Sequence, residues 1–340
     1  MGTETADVLV LGLGPAGASA AAQAARRGCK VIALERKREA GLPVQCAELV
    51  PALLDVDAGA VQQQVAAMVT FVEDDAPDVK SDFPGRMLDR ARFDASLVEA
   101  ARRAGADIRL SCFVARINSY GVIELGDGRT LSAPVIVGAD GPRSRAGKAL
   151  GSVNRELVET RQITVPLLKA HAATDIFLSA AIPGGYGWLF PKGAAANLGA
   201  GVSPAFKARL RSIVARLHAN LMQEGRVGGS VSALTGGAIP VGGMLKPWGF
   251  LEDTLVLLAG DAAGLANPVT GAGIAAAVHS GRLAGQAAAT GKFEQYEEEL
   301  EHVYRAALER ALERRRELLQ SKFEKAALRR GWIAYPEYWQ

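Results

Sequence analysis

The 340-residue chain has three cysteines, Cys29, Cys46 and Cys112, an odd number with no CxxC or metal-site spacing. That leaves no basis for a disulfide framework and fits a reducing, cytoplasmic setting. Histidine is equally sparse: His171, His218, His279 and His302 are scattered, with no HExxH pairing. GxSxG and the phosphate-loop lysine pattern are absent too, so neither a resident metal nor a hydrolytic triad is expected. An excess of one charge is also missing. Lys plus Arg number 39 against 36 Asp plus Glu, a net charge of +3, which argues against nucleic acid as a partner. The opening MGTETADVLVLG has no basic n-region and does not read as a secretory signal. Two long uncharged runs, 8–25 and 262–281, reach 18 and 20 residues. Both contain proline and break their periodicity at glycine clusters, so they read as buried glycine-rich segments rather than membrane spans.

Hydrophobic residues make up 49% of the chain, enough for a large core divided over more than one unit. Residues 6–12 (ADVLVLG) read as a buried strand. Gly12-Leu-Gly14-Pro-Ala-Gly17 follows, then a small-residue helix, then a second strand KVIALE ending at Glu35. This is GxGxxG with strand, helix and distal acid in place, the pattern of a dinucleotide site. Gly12 permits the tight turn, Gly14 lets backbone amides approach a pyrophosphate, and Gly17 lets the helix pack close. The helix N-terminus offers free N–H groups to the phosphates. Glu35 is placed to accept hydrogen bonds from a ribose. Arg36 stacks on an adenine, pairs with a 2′-phosphate or is simply solvated.

Two further strands end in glycine turns with an acid: VIVGADG around Asp140 and TLVLLAGD around Asp261. An NAD-dependent dehydrogenase needs only the first of the three turns. At this point the chain resembles the FAD-dependent enzymes of the para-hydroxybenzoate hydroxylase fold and, within them, the geranylgeranyl reductase family. The resemblance rests on the DG and GD turns, PVQCAELV (43–50), LDRARFDASLVEAARRAGADI (88–108), GYGWLFPKG (185–193) and GDAAGLANPVTGAGI (260–274). It implies an α/β fold: a Rossmann-like FAD-binding domain (1–62, 88–154 and 251–290, discontinuous), a β-sheet substrate cap (63–87 and 155–250) and a C-terminal helical tail (291–340).

The resemblance also implies roles. Ala16, Glu35, Cys46, Ala47, Arg90, Val114 (by its backbone), Asp261, Gly273 and Ile274 fall on cofactor-contacting positions. Asp261 would accept from a ribityl hydroxyl. Helix amides after Asn267-Pro268-x-Thr270-Gly271 would face the flavin edge where reduction places negative charge. Asp140 would serve FAD or a transient nicotinamide donor. Cys46 is either a residue near the flavin that affects double-bond reduction or a small buried hydrophobe. Glu48 is a helix-entry acid or a proton relay. The family loop reads Cys-Gly-Glu, whereas this chain has Cys46-Ala47-Glu48. If the glycine takes positive φ, Ala47 would strain the turn.

Between the DG and GD turns, ELVETRQITVPLL, TDIFLSAAI and AAANLGAGV read as strands, with a helix near 205–223; residues 65–83 add two strands. Tyr186, Trp188 and Phe190 alternate, so one strand face would supply an apolar, substrate-binding wall. Phe93, Leu97 and Ala100 would be the inward face of the helix that Arg90 precedes. Residues 293–330 carry one long helical pattern, acidic first and basic last, which packs along the body or lies on an anionic bilayer. The aromatic ending GWIAYPEYWQ folds back or caps a pocket.

The reading that follows is an FAD-dependent reductase of carbon–carbon double bonds in a polyprenyl or similar apolar lipid, placed in the cytoplasm and peripherally at the inner membrane face. The alternative is a monooxygenase of an aromatic substrate. With a single GxGxxG, electrons would come from NAD(P)H docking transiently or from a protein carrier. Oligomeric state is left open.

Overall fold

The computed structural model describes residues 2–52 and 54–340; Met1 and Leu53, both inside the expected 1–62 segment, lie outside the described residues. A six-stranded sheet carries the first half of the architecture. Its strand order is Trp248–Leu251, Thr254–Leu258, Val135–Gly138, Val8–Leu11, Val31–Leu34 and Asp107–Arg109, all parallel except the first. The four central strands are buried throughout except at Val135, which is half-buried, as expected of a parallel sheet covered on both faces. They meet helices α1 (Pro15–Ala25), α2 (Arg90–Arg103), α3 (Arg145–Leu150) and, later in the chain, α5 (Ile274–Thr290).

The two uncharged runs find their explanation here. Gly281 and Gly285 of α5 lie directly over the carbonyls of Ala16 and Ala20 of α1, where any Cβ would collide. The small-residue faces exist to bring two buried helices into backbone contact. Among the described residues no helix is long and apolar enough to cross a membrane.

The second sheet has a core order of Ala233–Thr235, Leu157–Pro166, Ala195–Val202, Gly187–Lys192, Ala173–Leu178, Ala67–Val72 and Asp78–Lys80. Its long antiparallel pair sets Glu159–Pro166 against Val202–Ala195. One face packs on α4 (Leu210–Gln223) through Leu189, Leu198, Ile213 and Val214. The opposite face, with Met68, Ile176, Trp188 and Phe190, forms a separate apolar cluster.

Two sequence expectations change. The buried stripe of α2 is Phe93, Asp94, Val98 and Ala101, with Leu97 and Ala100 only half-buried. The shift of one position brings Asp94 inward, where it holds Arg90. The tail is not one helix: α6 (Phe293–Leu300), a π-turn at Glu301–Arg305 and α7 (Ala306–Gln320) are continuous, but Lys322 and Phe323 take φ of +54° and +66° and reverse the chain before α8 (Lys325–Arg330). Left-handed backbone stops a helix, and Phe323 gains packing against the cap cluster.

Candidate active site

Three strand tips converge. Gly12 has φ +87° and its α-carbon lies against the carbonyl of Ala139 in the DG turn; Gly260 has φ +60° and faces Ala16 and Ala277. Gly17 packs on the Gly12 carbonyl with no room for a Cβ, whereas Gly14 has nothing within 4 Å of where a Cβ would be. The first turn is therefore tight beneath and open above, as backbone approach to a ligand requires.

Beside this junction lies a cavity of about 500 Å³ between the parallel sheet and the cap. Gly14, Ala16, Cys46, Ala47, Arg90, Asp261, Gly273 and Ile274 all line it, and so do Tyr186, Trp188 and Phe190. Both α1 and α5 start here, at Gly14 and Gly273, without side-chain caps. Two sets of free N–H groups thus face one cavity, a donor set suited to phosphate and to an anionic ring edge.

Asp261 makes no side-chain hydrogen bond among the described residues, and burial raises its carboxyl to about 6 against the counteracting Arg90 charge. A half-buried acid on a cavity wall without a donor is costly, and a hydroxyl-bearing ligand supplies what is missing. The Arg90 guanidinium is gripped by Asp94 through Nε–Oδ1 and Nη2–Oδ2, each 2.8 Å. Burial alone would lower its pKa, but Cys46 and Asp94 beside it reverse the sign and keep it charged.

Other expected residues lie elsewhere. Glu35 is buried at its strand end; its Oε2 accepts from Leu13 N and its Oε1 from Lys37 N, both at 2.9 Å. Arg36 is exposed, Val114 is half-buried, and none of these three lines the cavity. Gly12 and Gly17 shape the turn from beneath. Asp140 is occupied: Oδ1 accepts from Ser144 Oγ at 2.5 Å and Oδ2 from Arg145 N at 2.6 Å, at the start of α3. Its carboxylate is turned into its own loop.

The 46–48 loop resolves the question of its missing glycine. Positive φ falls on Glu48 (+72°), not on Ala47. Glu48 is buried and pairs with Lys192 Nζ, while Asn197 Nδ2 donates to it at 2.6 Å. That clamp to the cap offsets the unfavourable backbone, and Glu48 Oε1 also accepts from Arg90 N at 3.3 Å, where α2 starts.

Sequence reasoning missed Gln162, whose Oε1 accepts from Trp188 Nε1 at 3.0 Å while its Nε2 donates to the Cys46 carbonyl at 3.1 Å. Its strand reads LVETRQITVP, so one more polar residue among Glu159, Thr160, Arg161 and Thr164 gave no signal. Asn197, Lys192, Met68, Ile176 and Ile333 left none, because each matters through contacts distant in sequence.

Residues 158–237 match the family described as geranylgeranyl reductase catalytic domain. Over 309 residues the chain is 30% identical to digeranylgeranylglycerophospholipid reductase of Methanosarcina mazei, covering 83% of this chain and 74% of that protein. The second such reductase of Methanopyrus kandleri is 35% identical over 305 residues, with coverage of 83% and 76%. The chain belongs to the geranylgeranyl reductase family. It is thereby an FAD-dependent oxidoreductase, and the expected para-hydroxybenzoate hydroxylase-like architecture stands. A solved geranylgeranyl bacteriochlorophyll reductase-like protein from Thermoplasma acidophilum superposes with a TM-score of 0.84 at 25% identity, over 96% of this chain and 90% of that one. A probable FAD-dependent monooxygenase from Pseudomonas aeruginosa superposes at 0.70 with 18% identity, over 96% and 98% of the two chains, and shares the fold. In this family member the uncapped helix ends, the open Gly14 and the unpartnered Asp261 fit FAD.

Proposed function

We propose that this protein reduces carbon–carbon double bonds of an isoprenoid chain. The observation that carries the reading is that a single cavity joins the polar junction of Asp261, Arg90 and two helix N-termini to an apolar wall of Tyr186, Trp188 and Phe190. The relatives' names, reductases of digeranylgeranyl lipids, support it.

Bound FAD supplies hydride chemistry. Gly12, Gly14, Ala16 and Gly17 would position its pyrophosphate, Glu35 a ribose and Asp261 the ribityl chain. Ala47, Arg90, Gly273 and Ile274 would surround the ring. Val114 would contribute by its backbone, and Arg36 would lie at the exposed adenine end.

Burial keeps the Tyr186 hydroxyl protonated well above its ordinary range, and it donates to the Thr270 carbonyl at 2.6 Å. That bond ties the aromatic wall to the loop leading into α5. Gln162 fixes Trp188 and the Cys46 carbonyl together, so the wall and the Cys46 loop move as one. An apolar chain is positioned by such a surface through shape and water exclusion. Cys46, which accepts at Sγ from Glu48 N at 3.2 Å, is the catalytic residue at the meeting of the two regions.

A nicotinamide or a protein carrier delivers electrons from outside, and a lipid substrate brings the enzyme to the inner membrane face. The test is an anaerobic titration of reduced holoenzyme with prenyl lipids, followed by flavin absorbance. Reoxidation with a saturated product is expected. Silence towards every prenyl chain, together with oxygen-dependent hydroxylation of an aromatic, would replace this reading with the monooxygenase.

A further inference from the structure

Among the described residues, Ile333 is the single cavity-lining side chain contributed from beyond Ala277. It belongs to the apolar cluster on the cap, with Met68, Ile176 and Trp188. Its neighbour Trp332 is buried behind the wall: the ring lies 4.8 Å from that of Tyr186, and Nε1 donates to Met68 Sδ at 3.4 Å.

The segment is fixed on both sides. Before it, Lys325 and Arg329 pair with Asp75 at 2.7 and 3.1 Å, and Arg329 pairs with Asp78 at 2.6 Å. After it, Tyr335 Oη donates to Asp78 at 2.7 Å and Arg314 Nε donates to the Tyr338 carbonyl at 3.3 Å. A side chain held this way cannot retreat without breaking several contacts at once. Its neighbours Ile176 and Met68 offer no polar group to recognise a chain terminus, so discrimination there is by volume alone.

We propose that Ile333 is a specificity-determining residue that limits the length of apolar chain the cavity accepts, an inference resting on the isoprenoid reading above. A carbon more or less in a hydrophobic pocket changes discrimination by about tenfold or more, and Ile333→Ala removes three.

The test uses holoenzyme, wild type and the variants Ile333→Ala, Ile333→Leu and Ile333→Trp, with prenyl alcohols that grow by one isoprene unit. Flavin reoxidation gives kcat and KM, and quenching of tryptophan fluorescence by the saturated analogues gives binding without chemistry. Ile333→Ala should shift the preferred length upward, with a gain of long over short chains of about tenfold or more, carried mainly by KM. Ile333→Trp should shift it downward, Ile333→Leu should keep the wild-type profile, and the flavin spectrum should not change. If Ile333→Ala and Ile333→Trp scale every chain length by one common factor, the assignment to Ile333 is wrong while the isoprenoid reading stands. If the wild type neither binds nor reduces any prenyl chain, both fall together.

Discussion

Asp140 lies two residues after a buried parallel strand that ends at Gly138, and Asp261 three residues after another that ends at Leu258, directly behind Gly260, yet their carboxylates do opposite things. After Asp140 the chain reads Gly-Pro-Arg-Ser and α3 begins at Arg145, so Ser144 and the first helix amides close on the carboxylate. After Asp261 the next long helix waits until Ile274, and the intervening loop satisfies itself: Asn267 Oδ1 accepts from Val269 N and Thr270 N, each at 3.0 Å. Among the described residues nothing donates to the Asp261 carboxylate, while its backbone carbonyl accepts from Asn154 Nδ2 at 2.8 Å. The same strand–glycine–acid pattern yields a structural cap in one turn and an available acceptor in the other. The difference comes from how soon the following helix starts.

The comparison breaks most severely at the frame both turns share. Gly17→Ala drives a methyl into the Gly12 carbonyl beneath α1; a loss of about 3 kcal/mol is expected, seen as a lowered melting temperature and colourless protein. Gly14→Ala, whose methyl meets only open space, should keep the melting temperature of the FAD-free protein and lose flavin affinity.

Next in size is the pH response of Asp261. Burial raises its folded carboxyl to about 6 from an ordinary 3.8. Between these values the folded state holds a proton that the unfolded state has released, so FAD-free protein loses stability as pH rises from about 4 to about 6. A change on the order of 2 kcal/mol is expected, and Asp261→Asn should flatten that part of the curve in denaturant titrations at a series of pH values. An unchanged curve in Asp261→Asn would show that the carboxyl is not set apart from water. Asp140→Ala gives the smallest effect, about 1 kcal/mol for a lost helix cap, with flavin retained. Loss of flavin at full stability would instead put Asp140 in contact with the cofactor.

Much of the parallel-sheet side was readable from the chain. The GxGxxG turn, the glycines that let α1 pack, the run of buried strands and the small-residue α5 all follow from steric limits acting over a few residues. The cap strands were readable as strands from their alternation, and so was the shared facing of Tyr186, Trp188 and Phe190. What could not be read was which polar residues meet. Glu48 takes its unfavourable φ because Lys192 and Asn197, almost 150 positions away, reach it from the cap. Gln162 joins Trp188 to the Cys46 carbonyl across 116 positions on the latter side. The tail read as a single helix because its apolar spacing continues through Lys322 and Phe323; packing of Phe323 on the cap reverses it.

The amino-acid sequence by itself determined the dinucleotide turn, because glycine spacing restricts backbone geometry without help from the rest of the chain. Only the tertiary structure decided that Asp140 is occupied, that Asp261 is available and that Ile333 enters the cavity. Hydrogen-bond partners and cavity walls are set by which segments are brought together, and no local rule carries that information.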